Sequence, residues 1–265
     1  MKLLNKKNII ITGGNGFLGK YFCEAISENG GNPIILDFNT KGLNSYVKSL
    51  QVKYKNQPSY FKCDITKYKQ LINVYNKIKK KFNNINGLVN NAAINPKIDD
   101  LNESNLLESF DTKVIISEFN VGVIGALNCI KIFGNHFAKN KGGSIINISS
   151  DLGIIAPNHS LYNSSKNYKK VKPVSYSIIK SGIIGLTKYT STYWAKKNVR
   201  CNCIAPGGVL ENQDKKFVKK ISKFIPMNRM SFPHELKGPI VFLLSNESSY
   251  VNGHTLVVDG GRTIW

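Results

Sequence analysis

The stretch NIIITGGNGFLG, residues 8–19, decides the fold. Its first five residues form a short β-branched run, which is typical of a strand that is buried on both faces. Gly14, Gly16 and Gly19 follow in the pattern G-x-G-x-x-G, and the residues after them have helical periodicity. Because glycine permits a tight turn and close backbone approach, the stretch predicts a strand, a turn and a helix whose N-terminus can meet an anionic ligand.

The same alternation of short apolar runs and longer helical stretches continues along the chain. The predicted strands are 8–12, 32–37, 59–64, 87–92, 143–149, 199–205 and 255–260. The predicted helices are 17–29, 67–82, 113–140, 176–197 and 235–244. Such alternation predicts a single α/β domain with a Rossmann-type doubly wound parallel sheet, whose ligands bind beyond the carboxyl ends of the strands.

Composition limits the classes of function. With 265 residues, 42% hydrophobic and 20% charged, the chain is typical of a globular protein, and no apolar run approaches the length of a membrane span. The basic N-terminus leads into a glycine turn rather than a cleavage site, so it predicts a strand and not a signal peptide. The five scattered cysteines predict buried thiols in a reducing cytoplasm and no metal site.

The formal charge of +21 raises nucleic acid as a ligand. However, the lysines are spread along the chain among many asparagines, and no groove-reading motif is present. A general bias toward lysine and asparagine explains the charge equally well, so we do not expect nucleic-acid binding.

Asp37 indicates which ligand the glycine turn binds. It ends the second predicted strand, 21 residues after Gly16. A carboxylate there can accept hydrogen bonds from the adenosine ribose hydroxyls and would repel a 2′-phosphate. The glycine turn itself contains no Arg or Lys, which favours NAD over NADP, although Lys41 lies close by in sequence. The alternative is that Asp37 is only a turn residue.

These motifs, and others after them, resemble the short-chain dehydrogenase/reductase family over essentially the whole chain. The resemblance rests on TGGNGFLG (12–19), CDI (63–65), NNAA (90–93), GSIINISS (143–150), YSIIKSGIIGLTKY (176–189), NCIAPGGV (202–209) and NGHTLVVDGG (252–261), in family order. It implies an NAD(P)-dependent oxidoreductase that interconverts an alcohol and a carbonyl. The cofactor-binding residues it implies are Gly13, Asn15, Gly16, Phe17, Leu18, Gly19, Asp37, Asp64, Ile65, Asn91, Ala92, Ala93, Tyr176, Lys180, Pro206, Gly207 and Val209.

The family's Tyr-x-x-x-Lys pattern occurs twice, as Tyr162 with Lys166 and as Tyr176 with Lys180. In the family, the catalytic lysine begins a long helix that leads to a strand ending in Pro-Gly. The residues after Lys180 fit this order, whereas Pro173 interrupts any helix after Lys166. We therefore expect Tyr176 and Lys180 to be the active pair.

The chemistry expected of that pair is proton transfer. Residues four apart share a helix face, and the ammonium of Lys180 should lower the pKa of the Tyr176 phenol. Tyr176 would then take or return the alcohol proton. The resemblance gives Ser150 the substrate-orienting role, while Ser149 could bond only to backbone.

Two departures from the family stand out. The family's catalytic Asn on the long central helix is matched here by Gly122, with Asn120 two residues earlier on a different helix face. We expect the main-chain carbonyl at Gly122 to support a water that carries the proton relay. Glu211 stands where a threonine usually contacts the nicotinamide.

Two segments should border the substrate. An insertion at about 161–174 carries Lys166, Lys169, Lys170 and Lys172, and it could either attract an anionic sugar or be a solvated basic loop. Residues 211–235 predict a mobile lid. The insertion, together with SDLGIIAP (150–157) and the ending VVDGGRTIW (257–265), resembles a subgroup associated with flagellin modification and surface sugars, which implies a sugar or amino-sugar substrate.

Two further expectations follow from the resemblance. The C-terminal segment is similar to one that many family members pack against a partner subunit, so we expect a homodimer or homotetramer. A catalytically idle dinucleotide-binding sensor or scaffold is the alternative, because Gly122 and Glu211 depart from the family pattern.

Overall fold

The computed structural model describes residues 2–95, 102–163 and 170–265. In these residues seven strands form one parallel sheet with the order β3-β2-β1-β4-β5-β6-β7. The strands are β1 (Asn8–Thr12), β2 (Asn32–Asp37), β3 (Ser59–Lys62), β4 (Gly87–Asn90), β5 (Gly143–Ile148), β6 (Val199–Pro206) and β7 (Thr255–Val258). The predicted single α/β domain with a Rossmann-type doubly wound sheet is confirmed.

The sheet is covered on both faces because successive side chains of a strand point in opposite directions. In β1, Ile9 and Ile11 belong to one buried cluster and Ile10 belongs to the other. In β4, Val89 and Leu88 divide between the same two clusters. The near-continuous apolar runs of the sequence therefore supply two cores, one on each face.

Helices on the two faces close these cores. They are α1 (Phe17–Glu28), α2 (Leu43–Tyr54), α3 (Tyr68–Lys81), α4 (Thr112–Lys139), α5 (Val174–Tyr193), α6 (Lys215–Ser222) and α7 (Lys237–Leu244). Sequence periodicity predicted five of them but missed α2 and α6. Helix α2 buries only Leu43 and Leu50, so its apolar stripe is weak, whereas α6 has a clear apolar face but is only 8 residues long and rich in lysine.

Helix α4 contains two π-helical turns, Asn120–Gly125 and Ile130–Gly134. Each π turn accommodates extra residues and so changes which residues face a neighbouring element. By length and composition α4 could cross a membrane, but 44% of its most apolar window is buried inside the protein. Its glycines allow close packing, since a Cβ on Gly122 would lie 2.6 Å from Cγ2 of Ile179 in α5. These contacts are those of a core helix.

The strand order reverses between β1 and β4, which are neighbours although two strands separate them in sequence. Chain connections leave this point in opposite directions, so a crevice opens at the carboxyl ends of the strands. The loops after these ends were predicted to carry the site, and they converge there.

Candidate active site

A cleft of about 1090 Å³ occupies this crevice. It is lined by nearly every residue predicted for the site: Gly13, Asn15, Gly16, Phe17, Leu18, Asp37, Asp64, Ile65, Asn91, Ala92, Ala93, Ser150, Tyr176, Lys180, Pro206, Gly207 and Val209. The sequence therefore located the walls of the cleft correctly. Gly19 is the exception.

Gly19 acts through packing rather than by lining the cleft. A Cβ at this position would collide with the Gly13 carbonyl oxygen and lie 2.7 Å from Cα of Gly14. The absence of a side chain thus lets α1 pack tightly against the glycine turn. Gly13 adopts a positive φ of 63°, which favours glycine, and Gly16 precedes the first residue of α1. The turn is a cradle of main chain at a helix N-terminus, which fits a pyrophosphate.

Asp37 is held in place at the end of β2. Its Oδ2 accepts a hydrogen bond from the Asn15 amide at 3.0 Å, and its Oδ1 accepts one from the Asn39 amide at 3.0 Å. Each carboxylate oxygen can accept a further hydrogen bond, and the residue lines the cleft. Lys41 is not among the cleft-lining residues of the described chain.

The loops after β3 and β4 are fixed by side-chain hydrogen bonds. Asn91 donates its Nδ2 to the carbonyls of Thr12 and Gly13, at 3.1 and 3.0 Å. This contact ties the end of β4 to the glycine turn. Asp64 accepts hydrogen bonds from both the amide and the hydroxyl of Thr66 through Oδ1.

Lys180 lies at the junction of α5 and β5. Its Nζ donates to the Ile148 carbonyl at 3.0 Å and lies 5.6 Å from the centre of the Tyr176 ring. Burial lowers the pKa of the Lys180 ammonium to about 8. The Ser149 hydroxyl donates to the Lys180 carbonyl at 2.6 Å, so Ser149 bonds to backbone as expected.

Ser150 and Tyr176 meet in the cleft. Both residues line the cleft, and the Ser150 hydroxyl donates to Asp151 Oδ1 at 2.9 Å. Tyr176 is half-buried, whereas Ser150 and Lys180 are buried. The three residues therefore form one contiguous wall, with Ser150 at the end of β5 and the other two in the first turns of α5.

The expected lowering of the Tyr176 pKa is wrong. Burial raises the pKa of Tyr176 to about 12; the hydrogen bond with Ser150 opposes this rise, and the charge of Asp151 adds to it. Removing the phenol from water disfavours its anion more than its polar neighbours stabilise it. The sequence places the lysine beside the phenol but does not reveal the burial that dominates.

Tyr162 also lines the cleft. Its ring stacks on Phe217 of α6 with centroids 5.8 Å apart, and burial raises its pKa to about 12. Lys166, the lysine of the Tyr162-x-x-x-Lys166 pattern, lies outside the described residues. Part of the 211–235 segment also borders the cleft, through Glu211, Asn212, Gln213, Asp214, Phe217, Ile221 and Met230.

The structure corrects the expected role of Gly122. Gly122 is buried against Ile179 and is not among the described residues that line the cleft, whereas Asn120 lines it. Gly122 was expected there from a motif match, whereas Asn120, the first residue of the π-helical turn, is the one that reaches the cleft. The Asn-x-Gly pattern at 120–122 was the available signal.

Three further cleft residues were not predicted as site residues: Asp151, Lys172 and Arg262. Asp151 Oδ2 and Arg262 Nη1 are 2.5 Å apart, and both side chains are buried. Lys172 Nζ lies 4.1 Å from the centre of the Tyr176 ring. The Asp151–Arg262 pair could not be predicted because the two residues are far apart in sequence. The position of Lys172 in the insertion was the available signal for its contact with Tyr176.

Comparison with known proteins identifies the family. The family model described as enoyl-(acyl carrier protein) reductase matches residues 17–263. The post-translational flagellin modification protein A of Campylobacter coli is 32% identical over 259 residues, covering 98% of this chain and 99% of that protein. The chain belongs to the short-chain dehydrogenase/reductase family. Its similarity to the flagellin-modification subgroup is also confirmed.

Solved structures of this family agree with the fold. A short-chain dehydrogenase from Leptospira borgpetersenii with bound NAD⁺ has a TM-score of 0.84 and 28% identity, and the match covers 98% of this chain and 94% of that one. ElxO with NADP bound has a TM-score of 0.84 and 27% identity, with 98% and 100% covered. This short-chain dehydrogenase/reductase is accordingly an NAD(P)-dependent oxidoreductase that acts on CH–OH groups, in a family whose members are commonly oligomeric.

Proposed function

We propose that this enzyme is an NAD-dependent oxidoreductase that interconverts an alcohol and a carbonyl on a sugar or amino-sugar derivative. Tyr176 is the general acid and base in this proposal. The observation that carries it is the single wall formed by Ser150, Tyr176 and Lys180, all three of which line the cleft. A reacting alcohol oxygen at this wall would meet both hydroxyl groups.

Each of these side chains has a separate task. Tyr176 gives its proton to the alcohol oxygen during reduction and takes it back during oxidation. Ser150 turns its one hydroxyl hydrogen from Asp151 Oδ1 to the same oxygen and stabilises the negative charge that develops there. A pKa of about 12 keeps the phenol protonated at neutral pH, which is the form needed for carbonyl reduction. The nicotinamide, when bound, supplies or accepts the hydride.

Asn120 takes the place of the family's catalytic Asn in this proposal. It lines the cleft from α4, and the buried Lys180 lines it from α5. A water held between these helices would connect Lys180 with solvent. The relay proposed earlier through the carbonyl at Gly122 therefore moves to the Asn120 side chain.

The glycine end of the cleft supports NAD over NADP. The main chain at Gly13–Gly16 would hold the pyrophosphate, and Asp37 would accept hydrogen bonds from the adenosine ribose. The Asp37 carboxylate would repel a 2′-phosphate, and Lys41 contributes no side chain to the cleft among the described residues.

The sugar substrate is supported by the flagellin-modification relative and by the hydroxyl, amide and charged side chains among the residues that line the cleft. The insertion at about 161–174 and the 211–235 segment would close over this substrate. In this proposal the 211–235 segment moves as a lid, and α6 carries Phe217 toward the bound sugar. In this proposal residues 1–265 form one catalytic domain, and the segments 161–174 and 211–235 are the parts of it that close over the substrate.

Assembly and location belong to the same proposal. Exposed apolar side chains lie on α4 and α5 and at the C-terminus, namely Ile116, Ile178, Tyr189, Tyr193, Ile264 and Trp265. A second copy of the chain would cover them in a homodimer or homotetramer. Five free, buried cysteines fit a reducing cytoplasm.

The test is NADH oxidation with a panel of keto-sugars. Tyr176→Phe should lower kcat by about 10²- to 10⁴-fold, because it removes the general acid. The NADH dissociation constant should stay within about twofold. The matched control is Tyr162→Phe, which removes the other cleft phenol and should keep kcat within about threefold. NADH binding without turnover of any keto-sugar would instead support the idle sensor.

A further inference from the structure

Two cations at the substrate end of the cleft have no part in the proposed proton transfer. Lys172 comes from the insertion and lies over the ring of Tyr176, where its Nζ also donates to Asn95 Oδ1 at 3.0 Å. Arg262 comes from the C-terminal segment and lines the same cleft. Residues about 90 positions apart in sequence thus converge beside the reacting groups.

Arg262 is built into this position. The residue is only 7% exposed, and Asp151 is the only side chain it hydrogen-bonds within the described ranges. A guanidinium carries five N–H donors, and a buried guanidinium requires partners for them. With Nη1 directed to Asp151, the remaining donors are available to a group in the cleft.

Asp151 connects this guanidinium with the catalytic wall. Its Oδ1 accepts from Ser150 Oγ at 2.9 Å, and its Oδ2 is paired with Arg262. The Leu152 amide also donates to Oδ1, at 2.8 Å, so the carboxylate is fixed. Arg262 is therefore one side chain away from Ser150, close to the carbon that reacts.

Three cations lie around this part of the cleft, namely Lys172, Lys180 and Arg262. Among the described residues, Asp151 and Glu118 act on Lys172, and Glu211 and Asp214 line the cleft from the 211–235 segment. Burial and the neighbouring Lys180 lower the pKa of Lys172 to about 8. A desolvated ammonium beside a second cation is stabilised by a nearby anion.

We propose that Lys172 and Arg262 form a subsite for a carboxylate of the substrate, so that the substrate is a sugar acid with its carboxylate near the reacting carbinol. This inference rests on the proposed reaction at Ser150 and Tyr176. Arg262 offers the planar, paired donors that match a carboxylate, and Lys172 adds a point charge.

Lys170 serves as a control that distinguishes a specific subsite from the general positive charge of the insertion. It belongs to the same insertion, but its side chain is exposed and its main chain is bonded to the Asn163 side chain. Only Lys172 of the insertion lysines in the described residues lines the cleft. Replacing either lysine with glutamine removes the same charge. A comparison of the two variants therefore tests whether the position of the lysine in the cleft matters.

The experiment is calorimetric titration of the enzyme–NADH complex, in which alcohols bind without reacting. The probes are the C6 aldonates, each measured against its uncharged alditol, with glucose 6-phosphate as a phosphate probe. At least one aldonate should bind about tenfold or more tightly than its alditol, because charge-assisted hydrogen bonds are strong. Lys172→Gln should reduce that ratio to within about threefold of unity, and Lys170→Gln should preserve it.

Arg262 requires a second variant, since Arg262→Gln alone leaves a buried carboxylate unpaired. The double variant Asp151→Asn/Arg262→Gln removes both charges, and it should lose the aldonate preference. Its melting temperature, measured in parallel, reports whether it is folded; if it unfolds, Arg262→Lys should weaken the preference by severalfold, because a lysine lacks the paired donors.

The proposal is overturned if no aldonate is preferred, if glucose 6-phosphate is preferred instead, or if Lys172→Gln and Lys170→Gln behave alike. These outcomes do not depend on turnover. Failure of the proposed function appears separately, as the absence of NADH oxidation with every keto-sugar.

Discussion

The two ends of the cleft are built by different means. At the glycine end, main chain and short side chains fix the geometry: Asn91 ties β4 to the turn, and Asp37 holds two amides. At the substrate end, aromatic stacking between Tyr162 and Phe217 and a satellite apolar cluster hold α6 against the insertion. The first end depends on exact backbone shape, whereas the second depends on side-chain packing that can open.

This difference teaches which end can vary. A backbone cradle is lost if one atom intrudes, so the glycine end must be rigid. A small cluster separate from the two main cores can dissociate at low cost, which is what a substrate-closing segment requires. Each prediction below affects one end and should leave the other unchanged.

The largest effect is expected from Gly19→Ala. The added methyl group would meet the Gly13 carbonyl and push α1 away from the turn. We expect NADH affinity to fall about hundredfold or more, measured by fluorescence titration. The matched control is Gly185→Ala in α5, where a Cβ meets nothing within 4 Å. Gly185→Ala should leave NADH affinity unchanged and raise the free energy of unfolding by about 0.5–1 kcal/mol.

Asp37→Ala should have the next largest effect. It removes the acceptor of the Asn15 and Asn39 amides and the charge that repels a 2′-phosphate. The ratio of kcat/KM for NAD to that for NADP should fall at least about tenfold, since charged hydrogen bonds contribute about 1.5–3 kcal/mol. Asp111→Ala removes a carboxylate that caps α4 instead, and it should leave the ratio unchanged. An unaltered ratio in Asp37→Ala would contradict the NAD assignment.

Phe217→Ala tests the substrate end. Loss of the stacked ring should loosen α6, so KM for the substrate should rise about three- to tenfold while the NADH dissociation constant stays within twofold. Val218→Ala in the same helix removes a side chain that is not among the described residues lining the cleft, and it should change KM by less than about twofold. Equal effects of Phe217→Ala on KM and on NADH binding would show that the two ends are not independent.

The smallest effect concerns acid stability. Burial alone would raise the pKa of Glu24 in α1, but hydrogen bonds from Lys237, Lys53 and Tyr54 lower it to about 2. A depressed carboxyl pKa stabilises the fold above the unfolded value of about 4.5, and this contribution is lost as pH falls toward 2. Glu24→Gln should remove about 1 kcal/mol of that pH dependence after solvent screening, measured by urea unfolding at pH 5 and pH 3. Glu235→Gln, in an exposed ion pair, should change it less.

Sequence periodicity predicted the fold well where apolar runs were continuous. The predicted bounds of β1 and β2 agree with the structure, because strands buried on both faces have an unbroken apolar signal. Helix α2 was missed because it buries only Leu43 and Leu50. Helix α6 was missed because it is short and its lysines dominate the composition of the predicted lid.

The candidate site was predicted as far as local motifs extend. Local sequence was sufficient to predict the glycine pattern, Asp37 and the Tyr176–Lys180 pair, because each of these motifs is contiguous or lies on one helix face. Asn120 was not expected in the site because the family's Asn was matched to Gly122, and only the structure shows Asn120 in the cleft lining. The pair of Asp151 and Arg262 joins residues 111 positions apart, which no local pattern reveals.

By itself, the sequence determined the order of strands and helices, the glycine turn and which tyrosine stands before a lysine on a long helix. Local spacing and side-chain alternation are sufficient for these features. Only the tertiary structure decided that Tyr176 has a raised pKa, that Lys172 lies above its ring and that Arg262 reaches the catalytic wall. These properties depend on burial and on distances between charges, and both are set by how remote segments pack together.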